Sequence, residues 1–196
     1  MNNKIDIFSC DNNHRIRLLE EVIKIKPKIA VEVGVLNGEH GQLILNMCST
    51  LEELNLIDCW DIREEDESPQ NYQIYIKTGY FDTMYKRVCE KFEDETKVKI
   101  IKDYSVSASK KFEDETIDFV YVDACHKYTC VIDDITNWFP KIKSGGYIGG
   151  DDYCVQEELG VVKAVDDCIN NFGYDEIDNV KLWKGTNHGS WLMRKL

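Results

Sequence analysis

The chain is poor in features that would make its class obvious. It has only three prolines and twelve glycines in 196 residues, which excludes collagen-like and Pro-rich architectures. No apolar run approaches the ~18 residues of a membrane span, and Met1–Cys10 carries no signal-peptide pattern. Positive charge is also short: 24 basic against 36 acidic residues leave a formal charge of −12. That field repels phosphate backbones, and no local basic patch offsets it, so neither nucleic acid nor a membrane is an expected partner. The eight cysteines, at 10, 48, 59, 89, 125, 130, 154 and 168, include no CxxC pair and no zinc-type Cys/His cluster. Scattered singly, several in apolar stretches, they read as reduced and mostly buried thiols of a cytoplasmic protein.

What is present is ordinary globular composition, 43% hydrophobic and 31% charged. One domain over residues 1–196 is expected, and at this length it buries a core without disulfides or metal. Short β-branched runs alternate with segments of helical period. Ile29–Val35 is continuous and apolar, as a strand buried on both faces should be. Further runs fall at 54–57, 98–101, 117–122 and 146–149. Between them, amphipathic helices are expected near 12–25, 40–50, 80–92, 128–139 and 160–172. The last two segments that read as strands, 180–183 and 189–193, flank a turn-rich linker and predict an antiparallel hairpin. The fold class is therefore α/β: a doubly wound, mainly parallel, seven-stranded sheet closed by that hairpin. The hexapeptide Lys-Phe-Glu-Asp-Glu-Thr, at 91–96 and 111–116, reads as two polar helix-to-strand connections. Residues 60–78 read as a long binding loop.

In such sheets ligands bind at the carboxyl ends of the strands, near the switch in strand order. After the first of these strands, Gly34 and Gly38 permit a tight turn and a close backbone approach, in a spacing that is not GxGxxG. Asp58 ends the next strand and can accept hydrogen bonds from ribose hydroxyls, or cap a loop. Asp103, Tyr104 and Ser105 follow the third and can border a base ring, or cap a helix. Asp123 ends the fourth, and Asp151 and Asp152 end the fifth. If these strands are neighbours, three carboxylates converge, an all-oxygen set suited to Mg²⁺, Mn²⁺ or Ca²⁺ rather than zinc, unless they are merely caps and solvated acids. His126, three residues after Asp123, is a candidate general base beside that cation or a structural histidine.

The series Val-Glu-Val-Gly-Val-x-x-Gly, Leu-Ile-Asp, Ile-Asp-Phe-Val-Tyr-Val-Asp-Ala-x-His-x-Tyr and Lys-Ser-Gly-Gly-Tyr-Ile-Gly-Gly-Asp-Asp-Tyr resembles class I S-adenosylmethionine-dependent methyltransferases. It is most similar to the metal-dependent small-molecule and sugar O-methyltransferases of the macrocin and mycinamicin type. The resemblance spans residues 28–172 and is most specific over 117–153. It implies that Glu32, Gly34 and Gly38 line the methionine side of the cofactor and that Asp58 holds the ribose. Asp103, Tyr104 and Ser105 would flank the adenine, with Asp123 beside the cofactor. It further implies Asp123, Asp151 and Asp152 as ligands of Mg²⁺ or Mn²⁺, and His126 with Asp123 as the catalytic pair. The implied acceptor is a small molecule, a sugar or glycan in particular, and homo-oligomerisation is left open. Tyr128, Tyr153 and the 60–78 loop would wall the acceptor. Two rivals are an NAD-linked oxidoreductase and a non-catalytic cofactor-binding module.

Overall fold

The computed structural model describes residues 5–9, 13–62, 69–154, 158–172 and 176–196. Eight strands form one sheet in the order β1-β7-β8-β6-β5-β2-β3-β4. They are β1 (Ile5–Ser9), β2 (Ile29–Val33), β3 (Glu53–Asp58), β4 (Val98–Lys102), β5 (Ile117–Val122), β6 (Ile142–Asp151), β7 (Ile177–Lys184) and β8 (Gly189–Lys195). All pairings are parallel except those of β8, which runs antiparallel to both β6 and β7. The closing hairpin is therefore as expected. The sheet has one strand more than the seven expected, because β1 adds in parallel to the edge of β7. Its Ile-Asp-Ile-Phe-Ser alternation is short, and what holds it is tertiary: Phe8 stacks on Trp183 at 5.6 Å.

Alternation along each strand loads both faces. From β2 and β5, Ala30, Phe119 and Tyr121 point to one face. There they meet α1 (His14–Val22), α2 (Glu39–Met47) and α4 (Tyr80–Lys91) through Leu18, Leu19, Ile44 and Val88. Val31, Val33, Val120 and Val122 point to the other. That face is covered by α6 (Tyr128–Trp138) and α7 (Lys163–Phe172) through Val131, Ile135, Trp138 and Val165. A sheet buried on both sides needs such continuous apolar strands, which is why 29–35 and 117–122 carry no polar alternation.

One segment and the cysteine burial depart from expectation. The stretch 60–78 ends in a helix, α3 (Pro69–Thr78), rather than being loop throughout, and its acid run at 64–67 lies outside the described residues. The seven described cysteines are free; Cys48, Cys154 and Cys168 are buried and the other four only half-buried. Both Lys-Phe-Glu-Asp-Glu-Thr copies do connect a helix to a strand, β4 after the first and β5 after the second. The second follows the short α5 (Ser105–Ser109).

Candidate functional site

The chain leaves β2 in one direction, towards β3 and β4, and returns to β5 on its other side. The switch in strand order thus falls between β2 and β5. At the carboxyl ends of β2, β3, β4 and β5 opens a cleft of about 1030 Å³. It is lined by Glu32, Gly34, Asp58, Asp103, Tyr104, Ser105, Asp123 and His126, among others. Every residue assigned to the cofactor from sequence lines it except Gly38, which stands at the start of α2. That volume admits a nucleoside-sized ligand with room beside it.

The turn after β2 is built by local backbone needs. Gly34 has φ +87°, and a Cβ there would lie 2.0 Å from the carbonyl oxygen of Asp123. Gly38, at φ +75°, would drive a Cβ into the Phe92 ring at 2.8 Å. Only glycine fits either place. Asp58 holds the same turn from below. Its Oδ2 accepts from the amides of Val35 (2.8 Å) and Leu36 (2.9 Å), and its Oδ1 from the amide of Trp60 (2.7 Å). The carboxylate therefore caps the loop and lines the cleft at once. Asp103 also caps: it accepts from the Tyr104 amide at 2.8 Å and pairs with Lys111 at 2.7 Å. Ser105 accepts from the indole Nε1 of Trp138 at 2.9 Å.

The register of β5 and β6 pairs Val122 with Gly150, so Asp123 and Asp151 follow side by side. The three acids nevertheless divide into two groups. Asp151 is 6% exposed and belongs to a network reached from α1 and β8. Arg15 donates to it through Nε at 2.7 Å and through its terminal nitrogen, which also reaches Asp123 at 3.1 Å. Ser190, the β8 residue opposite, donates to Asp151 at 3.3 Å and lies 2.7 Å from the His14 ring. Burial first, and then the charge of Asp123, raises the Asp151 carboxyl above the ordinary range despite Arg15.

Asp123, His126 and Asp152 form the other group, with one ligand atom from each within 4.8 Å of the others. The imidazole Nε2 lies 2.8 Å from Asp152 and 3.7 Å from Asp123. Hydrogen bonding to Asp123 and then Asp152 raises His126 to about 10. Burial alone would raise Asp152, but the bond and charge of His126 outweigh it, and the net shift is down. A neutral imidazole near pH 7 therefore requires that the charge of the two acids be taken by something other than His126.

Several residues of the site had no sequence signal. Arg15 and His14 open an amphipathic helix, and nothing local shows that it crosses the strand ends. His40 and Tyr121, likewise unsignalled, form a buried cluster with the sequence-assigned Glu32. The His40 ring stacks on Tyr121 at 3.8 Å and lies 3.5 Å from Glu32, without a hydrogen bond to it. Desolvation raises the Glu32 carboxyl. Neither proposed acceptor tyrosine lines the cleft. Tyr153 is buried with its hydroxyl on Asp166 at 2.8 Å, and Tyr128 donates to Asp167 at 2.8 Å.

Residues 31–153 match the family model described as a methyltransferase domain. The chain belongs to that family. No curated protein matches it. Among solved structures, the fold of this methyltransferase domain is shared by SMU.1697c of Streptococcus mutans, assigned as a methyltransferase and solved with S-adenosylhomocysteine. The identity is 14% and the TM-score 0.66, over 93% of this chain and 98% of that one. SAH-bound methyltransferase PaMTH1 of Podospora anserina shares it at 15% identity and TM-score 0.62, over 95% and 80%. A protein of Clostridium thermocellum assigned as an rRNA methylase does so at 10% and 0.67, over 95% and 100%. At these identities the likeness is one of fold.

Proposed function

We propose that this methyltransferase domain moves a methyl group from S-adenosylmethionine to a hydroxyl of a small molecule, with sugars and glycans as the acceptor class. One observation carries the reading: a single cleft at the strand-order switch is lined both by a nucleoside-sized wall, Glu32 to Asp58 to Ser105, and by Asp123 and His126, two members of the cluster that Asp152 completes. Bound in that cleft, S-adenosylmethionine supplies a methyl carbon made electrophilic by its sulfonium. Asp58 faces the ribose with the acceptor capacity its three backbone bonds leave over, since a carboxylate offers about four lone-pair sites. Glu32 and the Gly34 turn face the methionine end.

Asp123 and Asp152 fit a hard divalent cation by donor chemistry, and Arg15 holds Asp151 beside them as a positioning residue. A cation there supplies Lewis acidity that lowers the pKa of an acceptor hydroxyl. With Asp123 and Asp152 engaged by such a cation, His126 would be released from their charge and could take the hydroxyl proton as the oxygen–carbon bond forms and the carbon–sulfur bond breaks, with S-adenosylhomocysteine as the leaving group. A second use of the same geometry has His126 as a third ligand, since its Nε2 shares one 4.8 Å cluster with both carboxylates. The test is a methyl-transfer assay with labelled S-adenosylmethionine over sugars, catechols and other hydroxylated acceptors, with Mg²⁺ or Mn²⁺ and with chelator. Cation-dependent labelling of a hydroxyl is expected. Labelling of nitrogen or carbon acceptors only, or full activity in metal-stripped protein, overturns it.

A further inference from the structure

Behind the cleft, one glycine packs against the backbone of the acid–imidazole group. A single π-turn, Glu158–Val162, leads directly into α7. Such turns are rare, carry i→i+5 hydrogen bonds and frequently mark functional sites. This one brings the Cα of Gly160 against the carbonyl of His126. A Cβ at position 160 would lie 2.1 Å from that oxygen, whereas ordinary contact begins at 3.4 Å. Any larger residue therefore forces one of the two turns back by more than an ångström.

Which side yields follows from packing. Val161 and Val162 are buried, and the first turn of α7 buries Ala164 and Val165 completely. The turn at 124–127 is held less, with Ala124, His126 and Lys127 exposed and Cys125 half-buried. The two acids beside it are anchored: the Asp123 amide donates to the Val33 carbonyl, and the Asp152 carbonyl accepts from the Cys154 amide, each at 2.8 Å. A side chain at 160 thus moves His126 against fixed carboxylates. We propose that Gly160 is a positioning residue that keeps His126 within the coordination sphere of a cation on Asp123 and Asp152. This rests on the cation reading above and takes up its second use, the imidazole as a ligand. Two ligands of an ion bound at about 2.1 Å stand roughly 3 Å apart when adjacent and about 4.2 Å apart when opposite. His126 Nε2, at 2.8 Å from Asp152 and 3.7 Å from Asp123, lies close to that span. A retreat of more than an ångström from the acids takes it out.

Mn²⁺ binding to the whole chain tests this without turnover. Calorimetry gives the affinity, and electron spin-echo spectroscopy shows whether the bound ion has a nitrogen ligand. The wild type should show that nitrogen, and His126→Ala should lose it. Gly160→Ala should lose it too, with affinity down roughly ten- to hundredfold, the usual cost of disturbing the support of a metal ligand. Added to His126→Ala, it should change the affinity little further, since it acts through that side chain. Gly146→Ala controls for crowding alone. Its Cβ would lie 2.8 Å from the Asp118 carbonyl, near the start of β5, so it should melt early yet keep the nitrogen. If Gly160→Ala does not fold, Val161→Ala loosens the same turn by removing volume, because Val161 and His126 line one small void. Val165→Ala is its control, and only Val161→Ala should weaken Mn²⁺ binding. Nitrogen and affinity retained in Gly160→Ala overturn the proposal, as does an equal loss in a variant and its control. Bound Mn²⁺ without nitrogen in the wild type overturns it and leaves the cation reading standing. No Mn²⁺ binding by folded wild type overturns both.

Discussion

At the scale of single residues, the site shows side chains holding structure and facing ligand together. Asp58 is the clearest case. Replacing it with Ala leaves three loop amides without their acceptor. With each bond to a charged acceptor worth about 1.5–3 kcal/mol, and water reaching part of the loop, a loss of about 2–4 kcal/mol is expected. Denaturant melts should show it alongside weaker cofactor binding in calorimetry; a loss of affinity at unchanged stability would assign Asp58 to the ligand alone. His126 makes a prediction in pH. Its folded pKa stands near 10 in the cation-free chain, above the ordinary 6.5, so the stability it contributes is full below about 6.5. That contribution drains as pH rises through 10. Thermal melts of metal-free protein should fall across this window, and His126→Ala should flatten that fall. As the base, the same variant should lose about 10²–10⁴-fold in turnover while still binding S-adenosylhomocysteine. An early-melting variant whose folded fraction turns over normally would leave His126 a structural role only.

At the scale of elements, α1 is the piece whose importance is least visible along the chain. The apolar period through Ile16, Leu19, Val22 and Ile23 announces a helix, of which Leu19 and Val22 are fully buried with Leu18, while Ile16 and Ile23 are exposed. Its first turn delivers His14 and Arg15 to the ends of β5, β6 and β8, an outcome fixed by packing rather than by pattern. Likewise the convergence of Asp123 and Asp151 was legible, because strand-end positions follow from the alternation of strand and helix. The division of the acids was not legible, because a partner more than a hundred residues away decides it. Arg15→Ala should make the division measurable. It strips the cation from a carboxylate that is 6% exposed, next to another carboxylate. Removing a partner from a buried pair costs about 3–5 kcal/mol, and because the guanidinium is itself 40% exposed we expect about 1–3 kcal/mol. Arg15→Lys should restore only part, since one ammonium cannot reproduce the fork that spans both acids. Wild-type stability in Arg15→Ala, measured by urea denaturation, would show that water or the His14–Ser190 pair suffices for Asp151.

At the scale of the whole molecule, the fold was legible because a parallel sheet buried on two faces writes itself as continuous apolar strands. The edge strand β1 escaped because a solvent-facing edge needs no such run: Ile7 is 69% exposed there. Fold alone does not choose a substrate, and the neighbours that share this one include a protein assigned as an rRNA methylase. Charge leads us to expect that RNA is not the acceptor. The chain carries −12, and much of its positive charge is already spent on nearby acids. Lys99 pairs with Glu53, Lys111 with Asp103, Lys141 with Asp114 and Lys143 with Asp118. Binding RNA draws its affinity largely from releasing phosphate counterions to lysines and arginines, and such lysines would first have to leave their carboxylates. The cleft adds Glu32, Asp58, Asp103 and Asp123 along its walls. Fluorescence anisotropy with a labelled single-stranded RNA near 0.15 M salt should therefore show no binding up to about 100 µM protein, the weak end of ordinary non-specific affinity. A dissociation constant below about 10 µM that weakens steeply with salt would reverse this expectation and make a nucleotide hydroxyl or base the acceptor to pursue.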